Sequence, residues 1–221
     1  MASQISHLAL GINCYKYFCD KKEKDFFIGN NFPDIRLITN IKRGDTHFLS
    51  LNDFKDGKGF LSSDSPFYSG YKFHLLTDLI WKEYYTKNNN LFLKYGGFDK
   101  IKTPLILLED SLFFNKIKDI KKYILFFNEM PEDKIESKLK IEKKKILQWY
   151  KIIQKYFLSN ELNASSITKF RSNFSDYDNK ELNEQLEILN ILKNDNNIVD
   201  IINNFYNSFD DIIKIYIKNS W

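Results

Sequence analysis

The sequence predicts an all-α protein, folded as a single multi-helix domain over residues 1–221. Apolar residues recur at helical spacing in most segments, and the alternating pattern of a half-buried strand is nearly absent. Hydrophobic residues make up 43% of the chain and charged residues 28%, which is typical of a soluble globular protein. With 20 Phe and 13 Tyr, the chain has enough apolar material for one core without a disulfide framework. We therefore expect seven or eight helices.

The first third of the chain is predicted to contain two helices joined by an irregular connection. Ser3 is a suitable N-cap for the first helix, in which Ile5, Leu8 and Ile12 recur at helical spacing. The stretch KDFFIGNNFPDIRLITNIKRGDTHF is rich in Gly, Asn and Pro, so we expect a long connection with short helical turns. A second helix is predicted from about Pro66 to Lys87, where the sequence NNN follows.

The remainder of the chain is predicted to be helical with one loop. The segment TPLILLEDSLFF predicts a buried helix with Pro104 at its first position. Further on, six apolar residues form one stripe that predicts a core-facing helix. They are Ile135, Leu139, Ile146, Tyr150, Ile153 and Phe157. Residues 159–177 are predicted to form a loop, and two helices follow around 182–189 and 198–217. The candidate site described below lies in residues 1–115, and residues 116–221 supply the C-terminal helices.

The charge of the chain gives no indication of a nucleic-acid partner. The net charge is +4, and residues 115–152 contain eleven Lys against six acidic residues. Lys-rich helices of this kind are usually solvated, and no nucleic-acid motif accompanies them.

The location predicted from the sequence is cytoplasmic. The first residues lack the pattern of a signal peptide, and no segment has the uninterrupted apolar length of a transmembrane span. Cys14 and Cys19 would point away from each other on a helix, so we do not expect them to form a disulfide. Reduced thiols are typical of the cytoplasm.

All three histidines of the chain lie in its first third, together with two aspartates in distinctive contexts. The five residues are His7, Asp34, His47, His74 and Asp78. Imidazole and carboxylate groups are preferred ligands of zinc and related ions. His74 and Asp78 are four residues apart on a predicted helix and share one face, which suits two ligands of one ion or a structural hydrogen bond. Taken together, the five residues predict a metal site. Gly11, one turn after His7, would leave room beside the imidazole for an ion or substrate.

In order and context these residues resemble the zinc-dependent phospholipase C family of bacterial phosphodiesterases, whose structural relatives include the S1/P1 nucleases. The ligand order of that family is an early His, an Asp, a His and then a His-x-x-x-Asp helix. Here the order is matched by SHLAL, FPDIR, DTHF and KFHLLTD, so the resemblance covers roughly the first 80 residues. It implies an all-helical fold of the phospholipase C / P1 nuclease type with a buried metal cluster.

The resemblance also implies a function. Asp34, His47, His74 and Asp78 would hold one zinc ion, and His7 would help to bind a second ion that Asp78 bridges. Two such ions would clamp a phosphodiester, one activating water and the other stabilising the leaving oxygen. Asp34 would also be catalytic by orienting the attacking water. The substrate would be a phosphoester small molecule or a lipid head group.

The sequence departs from this family in two respects. The secreted phospholipases hold a third zinc ion with a further His, His and Glu, whereas no histidine follows His74 here. Mature family members also use their N-terminal amine as a ligand, and Met1 or Ala2 would begin this chain. We therefore expect one or two ions. The competing hypothesis is a non-catalytic structural or partner-binding protein that retains the fold and a structural metal.

Three basic residues lie close to the predicted ligands in the sequence. Arg36, two residues after Asp34, is a candidate substrate-binding residue because a guanidinium binds a phosphate bidentately. Pairing of Arg36 with a carboxylate is the alternative. Lys42 and Arg43 are predicted to be solvated.

Two acidic residues, Glu109 and Asp110, interrupt the apolar segment LILLEDSLFF. Acidic side chains in such an apolar segment are expected to have specific partners, because burying an unpaired charge is costly. They would either orient the metal-bound histidines from behind or form an ion pair with Lys116 or Lys118 at the end of the helix.

Overall fold

The structure is a computed structural model that describes residues 2–18, 22–56, 59–61, 64–130, 139–158 and 179–217, with residues 179–182 described by their backbone alone. Within these ranges the regular elements are all helices and no strand is present, which confirms the predicted fold class. The α-helices are α1 (Gln4–Cys14), α2 (Glu23–Asn31), α3 (Arg43–Thr46), α4 (Leu51–Lys55), α5 (Pro66–Lys87), α6 (Phe98–Phe114), α7 (Ile120–Phe126), α8 (Lys143–Leu158), α9 (Asn179–Lys193) and α10 (Asn196–Ile217). Three 3₁₀ segments span Tyr15–Phe18, Pro33–Ile38 and Asn89–Tyr95. Of the α-helices described, eight have seven or more residues, in line with the seven or eight expected.

One hydrophobic core joins the first helix to the last. Buried apolar side chains from every described α-helix except α3 belong to a single cluster. Helix α5 packs most extensively against α2, and α1 contacts α2, α5 and α6. This arrangement brings α1, α2 and α5 together in the interior, where the candidate site residues of α1 and α5 are placed.

Helices α1 and α5 begin where the sequence predicts. The Ser3 hydroxyl accepts a hydrogen bond from the Ser6 N–H at 3.2 Å, and the Ser65 hydroxyl accepts one from the Tyr68 N–H at 3.3 Å. Each bond satisfies an N–H group that has no partner inside its helix. Pro66 follows Ser65 as the first residue of α5, where the missing N–H of proline costs nothing.

The segment predicted as an irregular connection contains a regular helix, α2, whose last seven residues are buried. The prediction was wrong here because Gly and Asn serve tertiary contacts rather than a loop. A Cβ atom on Gly29 would lie 2.0 Å from the carbonyl oxygen of Phe67, and one on Gly70 would lie 1.9 Å from that of Phe26. The two glycines therefore let the backbones of α2 and α5 approach each other.

Pro104 does not begin its helix, contrary to the prediction. Helix α6 begins six residues earlier at Phe98, after Gly97 at a φ of 91°, and Pro104 lies inside it. An interior proline removes one helical hydrogen bond and crowds the carbonyl four residues before it, here that of Lys100. Pro104 is buried, and the packing of α6 against α1 and α9 offsets this local cost.

The apolar stripe is core-facing where the structure describes it. Its members from Ile146 to Phe157 are buried in α8, whereas Leu139 precedes Lys140 at a φ of 52° and lies outside that helix. Ile135, Cys19 and the loop predicted over 159–177 lie outside the described residues. Cys14 is a buried free cysteine. Among the helices of the described ranges, none combines the length and the apolar character that crossing a membrane requires.

Candidate metal centre

The five predicted ligands come from four segments and meet in one buried group, which we call the His–Asp cluster. His7 lies on α1, Asp34 on the 3₁₀ segment Pro33–Ile38, and His47 directly after α3, while α5 supplies His74 and Asp78. Two sets of three can each bring one ligand atom per residue within 4.8 Å of one another. These sets are His7, His74 and Asp78, and Asp34, His47 and His74.

His74 is fully buried and held as a neutral imidazole. Burial, followed by the neighbouring His7, lowers the pKa of His74 well below its usual value, although Asp78 acts in the opposite direction. Its Nδ1 atom lies 2.8 Å from the carbonyl oxygen of Asn30. Because a carbonyl only accepts, Nδ1 carries the proton and Nε2 is left unprotonated. Nε2 has no hydrogen-bond partner among the described residues and faces Asp34, whose Oδ2 is 4.0 Å away. A neutral imidazole oriented by a carbonyl is the usual form of a histidine ligand.

Asp78 lies between His7 and His47 and presents one oxygen to each. Its Oδ1 accepts a hydrogen bond from the Ala2 N–H at 2.9 Å and lies 3.4 Å from the His7 Nε2. Its Oδ2 accepts one from Arg43 at 2.7 Å and lies 3.3 Å from the His47 Nε2. Burial acts to raise the pKa of Asp78, but nearby positive charge and the contacts of His47 and His7 hold this pKa well below its usual value. The carboxylate is therefore ionised at neutral pH.

The donor atoms of the cluster fit a divalent ion. The buried Nε2 atoms of His7 and His47 lie 3.4 and 3.3 Å from the Asp78 oxygens without good hydrogen-bond geometry, and the Nε2 atom of His74 has no hydrogen-bond partner among the described residues. Buried polar atoms usually have a partner, so three such nitrogens around two carboxylates require an explanation. In a tetrahedral zinc site with ligands about 2.0–2.1 Å from the ion, neighbouring ligand atoms are about 3.3 Å apart. The separations of His7 and His47 from Asp78, 3.4 and 3.3 Å, match this value.

The cluster has the donors for two neighbouring ions. The rings of His7 and His74 are stacked, with centroids 3.6 Å apart and planes inclined by 14°. The two sets of ligands share His74, whose single free nitrogen serves one ion. Asp78 has two oxygens directed to different histidines, so it is the residue suited to bridge two ions.

Polar residues that the sequence did not single out hold the ligands in place. Gln4 donates to Oδ2 of Asp34 at 2.8 Å, and the Thr46 hydroxyl lies 2.8 Å from Nδ1 of His47. The side chain of Asn30 donates to the carbonyl oxygen of His7 at 2.7 Å. The position of Gln4 could have been predicted from the sequence, because it lies three residues before His7 on the same face of α1.

The space beside Gly11 is used differently from the prediction. A Cβ atom at this position would lie 2.8 Å from Nδ2 of Asn30. Gly11 therefore makes room for the asparagine that bonds to His7, and not for an ion or a substrate.

Both arginines near the cluster contact its carboxylates. Nη2 of Arg36 lies 3.4 Å from Oδ1 of Asp34, which is the carboxylate pairing given above as the alternative. Arg43 was predicted to be solvated; its side chain is 45% exposed, yet its guanidinium contacts Asp78. Phosphate binding by Arg36 stays a prediction.

Glu109 and Asp110 are buried behind the cluster and bond to other residues. Oε2 of Glu109 accepts a hydrogen bond from Trp81 at 2.7 Å. Asp110 accepts one from the Ser6 hydroxyl at 3.4 Å and another from the hydroxyl of Tyr156. The histidine ring nitrogens make their hydrogen bonds to Asn30 and Thr46 or to none of the described residues. Neither carboxylate therefore orients a histidine ring directly, and both are buried rather than at the surface end of the helix.

The buried position of Glu109 predicts a pH-dependent stability. Burial, more than any other cause, raises the pKa of Glu109 to about 8, although the hydrogen bond from Trp81 lowers it. The folded state therefore keeps a proton that the unfolded chain loses near pH 4.5. The contribution of protonated Glu109 to the free energy of unfolding is complete below pH 4.5 and is lost as the pH rises through 8. Between pH 6 and pH 8 the free energy of unfolding should fall by roughly 2 kcal/mol more in the wild type than in Glu109→Gln.

The measurement is urea unfolding of the metal-free protein, with a chelator present, because a bound cation would change the charge near Glu109. Trp81→Phe serves as a second variant, since it removes the hydrogen bond that favours the ionised carboxylate. Equal pH dependence of the wild type and Glu109→Gln would show that the carboxylate is ionised in both states.

Comparison of the chain with protein families, with curated proteins and with solved structures finds no match. The fold and the site therefore define the class of this protein, which is an all-α protein with a buried histidine–aspartate cluster. The resemblance to the zinc-dependent phospholipase C family rests on the five cluster residues alone and stays a prediction.

Proposed function

We propose that this protein is a divalent-metal-dependent hydrolase that acts on a phosphoester, either a small molecule or a lipid head group. The observation that carries this proposal is the set of three buried imidazole nitrogens that face the carboxylates of Asp34 and Asp78 and form no well-oriented hydrogen bond with the described part of the chain. Clusters of this composition in a protein interior usually bind a metal or perform catalysis. The order of the ligands along the chain, similar to that of the zinc-dependent phospholipases C, supports the choice of zinc and of a phosphoester.

The cluster residues divide into two ligand sets. Asp34, His47, His74 and Oδ2 of Asp78 would hold one ion, and His7 with Oδ1 of Asp78 would hold a second. When bound, zinc supplies Lewis acidity that polarises a phosphoryl oxygen and lowers the pKa of water. The second set has fewer side-chain donors than the first, so we expect it to bind zinc more weakly.

The chain itself supplies a base and positive charge. Asp34 is almost fully buried, its Oδ2 accepts a hydrogen bond from Gln4, and its Oδ1 lies 3.4 Å from Nη2 of Arg36. Asp34 would orient the attacking water and accept its proton. Arg36 and Arg43 contact the two carboxylates and would bind the phosphoryl oxygens, stabilising the negative charge that develops there.

Metal analysis and hydrolysis together test this proposal. The affinity tag should follow the C-terminal end, because Ala2 is buried and its N–H donates to Asp78. Protein purified without chelator should contain one or two equivalents of a transition metal and hydrolyse bis-p-nitrophenyl phosphate. A chelator should remove both the metal and the activity, and added zinc should restore them.

The outcomes of this test separate the two hypotheses. Protein that contains no stoichiometric metal and takes up none would contradict the metal site and the hydrolase together. Full metal content without hydrolysis of any phosphoester tried would instead favour the non-catalytic protein with a structural metal. The cytoplasmic location and the restriction to a small or head-group substrate stay predictions from the sequence.

A further inference from the structure

A pocket of about 370 Å³ opens beside Asp78 and His47. Four basic residues line it, namely Arg36, Arg43, Lys82 and Lys102. Asp78 is the one acidic residue among its described lining residues. Leu49, Leu75 and Leu79 form the apolar part of the lining. The volume is at the lower end of the range for small-molecule sites, so it suits a small ligand or a head group.

The two lysines lie farther from the metal cluster than the two arginines. Lys82 follows Asp78 by four residues on α5, so it is on the same helix face, one turn and about 6 Å along the axis. Lys102 comes from α6, and its Nζ lies 6.0 Å from the ring centroid of Trp81. Neither lysine forms an ion pair with a residue of the described ranges, whereas Arg36 and Arg43 contact Asp34 and Asp78.

The positive charge of the pocket lining exceeds what is needed to bind one phosphodiester group. A phosphodiester carries a single negative charge, which a divalent ion and the nearby Arg36 and Arg43 already match. Lys82 and Lys102 add two positive charges to the pocket lining, one on an exposed side chain and one on a half-buried side chain. Arg36 and Arg43 contact carboxylates, whereas the two lysines have no acidic partner among the described residues, so an anionic group of the ligand would be their partner.

We propose that the substrate carries a second phosphate group, bound by Lys82 and Lys102 about one helical turn from the phosphate at the metal cluster. This inference rests on the proposed phosphoesterase function and names the substrate class of that site. Such a bisphosphate could be a nucleotide or the head group of a phosphorylated lipid, and the shared chemistry is two phosphate groups on one small ligand.

The test compares binding of bisphosphates with that of matched monophosphates. Calorimetric titrations of the zinc-loaded protein use AMP against adenosine 3′,5′-bisphosphate, and inositol 1-phosphate against inositol 1,4-bisphosphate. We expect at least one bisphosphate to bind about tenfold more tightly than its monophosphate at moderate salt. The pair that shows the larger preference identifies the nucleotide or the head group as the source.

The lysines are tested by a pair of double variants on the same two helices. Lys82→Gln/Lys102→Gln should weaken bisphosphate binding about tenfold more than monophosphate binding and leave the metal content unchanged. Lys87→Gln/Lys100→Gln is the control, because both residues are exposed and lie outside the pocket lining. It should retain the full preference.

The results separate this inference from the proposed function. No bisphosphate preference in the wild type, or a preference that survives in Lys82→Gln/Lys102→Gln, would overturn the second-phosphate site even if phosphoesters are hydrolysed. A preference that depends on the two lysines in a protein without hydrolase activity would support the site and contradict the proposed enzyme.

Discussion

Asp78→Ala should remove bound metal and lower hydrolysis of bis-p-nitrophenyl phosphate by at least about 100-fold. Asp78 is the residue with the greatest effect because it faces both ligand sets, with Oδ1 near His7 and Oδ2 near His47. Its loss also leaves the guanidinium of Arg43 without an anion that it contacts at 2.7 Å. His74→Ala should remove metal from the first ligand set in the same way.

Metal content by mass spectrometry and hydrolysis rates should be measured together for each variant. Thr77→Val is the matched control, because Thr77 is the neighbouring buried residue on α5 and its hydroxyl forms no hydrogen bond with the described residues. This variant should keep both metal and activity. If Asp78→Ala fails to fold, Asp78→Asn replaces it with a side chain of nearly the same shape and no charge. Wild-type metal content in either Asp78 variant would mean that the cluster is not the metal site.

The sequence predicted the cluster better than its surroundings. His74 and Asp78 could be predicted from the sequence because helical spacing alone places both on one face. Asn30 was not singled out and Arg43 was predicted to be solvated, because their roles depend on contacts between segments distant in the sequence. Asn30, for example, bonds to His7 and His74 only because α2 lies between α1 and α5. Such contacts leave no periodic pattern in a single sequence.

The fold shows the same division between local and tertiary causes. Helix α5 was predicted with its bounds, because Ser65, Pro66 and the following apolar spacing are local signals. Helix α2 was missed, because its Gly and Asn residues favour a loop in isolation and become favourable in a helix only against α5. The predicted start of α6 at Pro104 was wrong because proline disfavours a helix interior in isolation. In the protein, burial of Pro104 in the core compensates this cost.

The contact between α2 and α5 leads to a prediction that links the fold to the metal site. Gly70→Ala should lower the free energy of unfolding by about 3 kcal/mol or more. The added Cβ atom would lie 1.9 Å from the carbonyl oxygen of Phe26 and 2.9 Å from the backbone nitrogen of Asn30. These are backbone atoms, so relief requires α2 to move away from α5. Because the carbonyl oxygen of Asn30 bonds to Nδ1 of His74, this movement should also weaken zinc binding.

Urea unfolding of the metal-free protein and zinc titration measure the two effects separately. Gly44→Ala is the control, because a Cβ atom on this exposed helical glycine would meet nothing within 4 Å. Alanine has the higher helix propensity, so this variant should be unchanged or more stable by up to about 1 kcal/mol. If Gly70→Ala unfolds like the wild type, the two helices are not in backbone contact. If it is destabilised but binds zinc with unchanged affinity, the carbonyl of Asn30 does not control the orientation of His74.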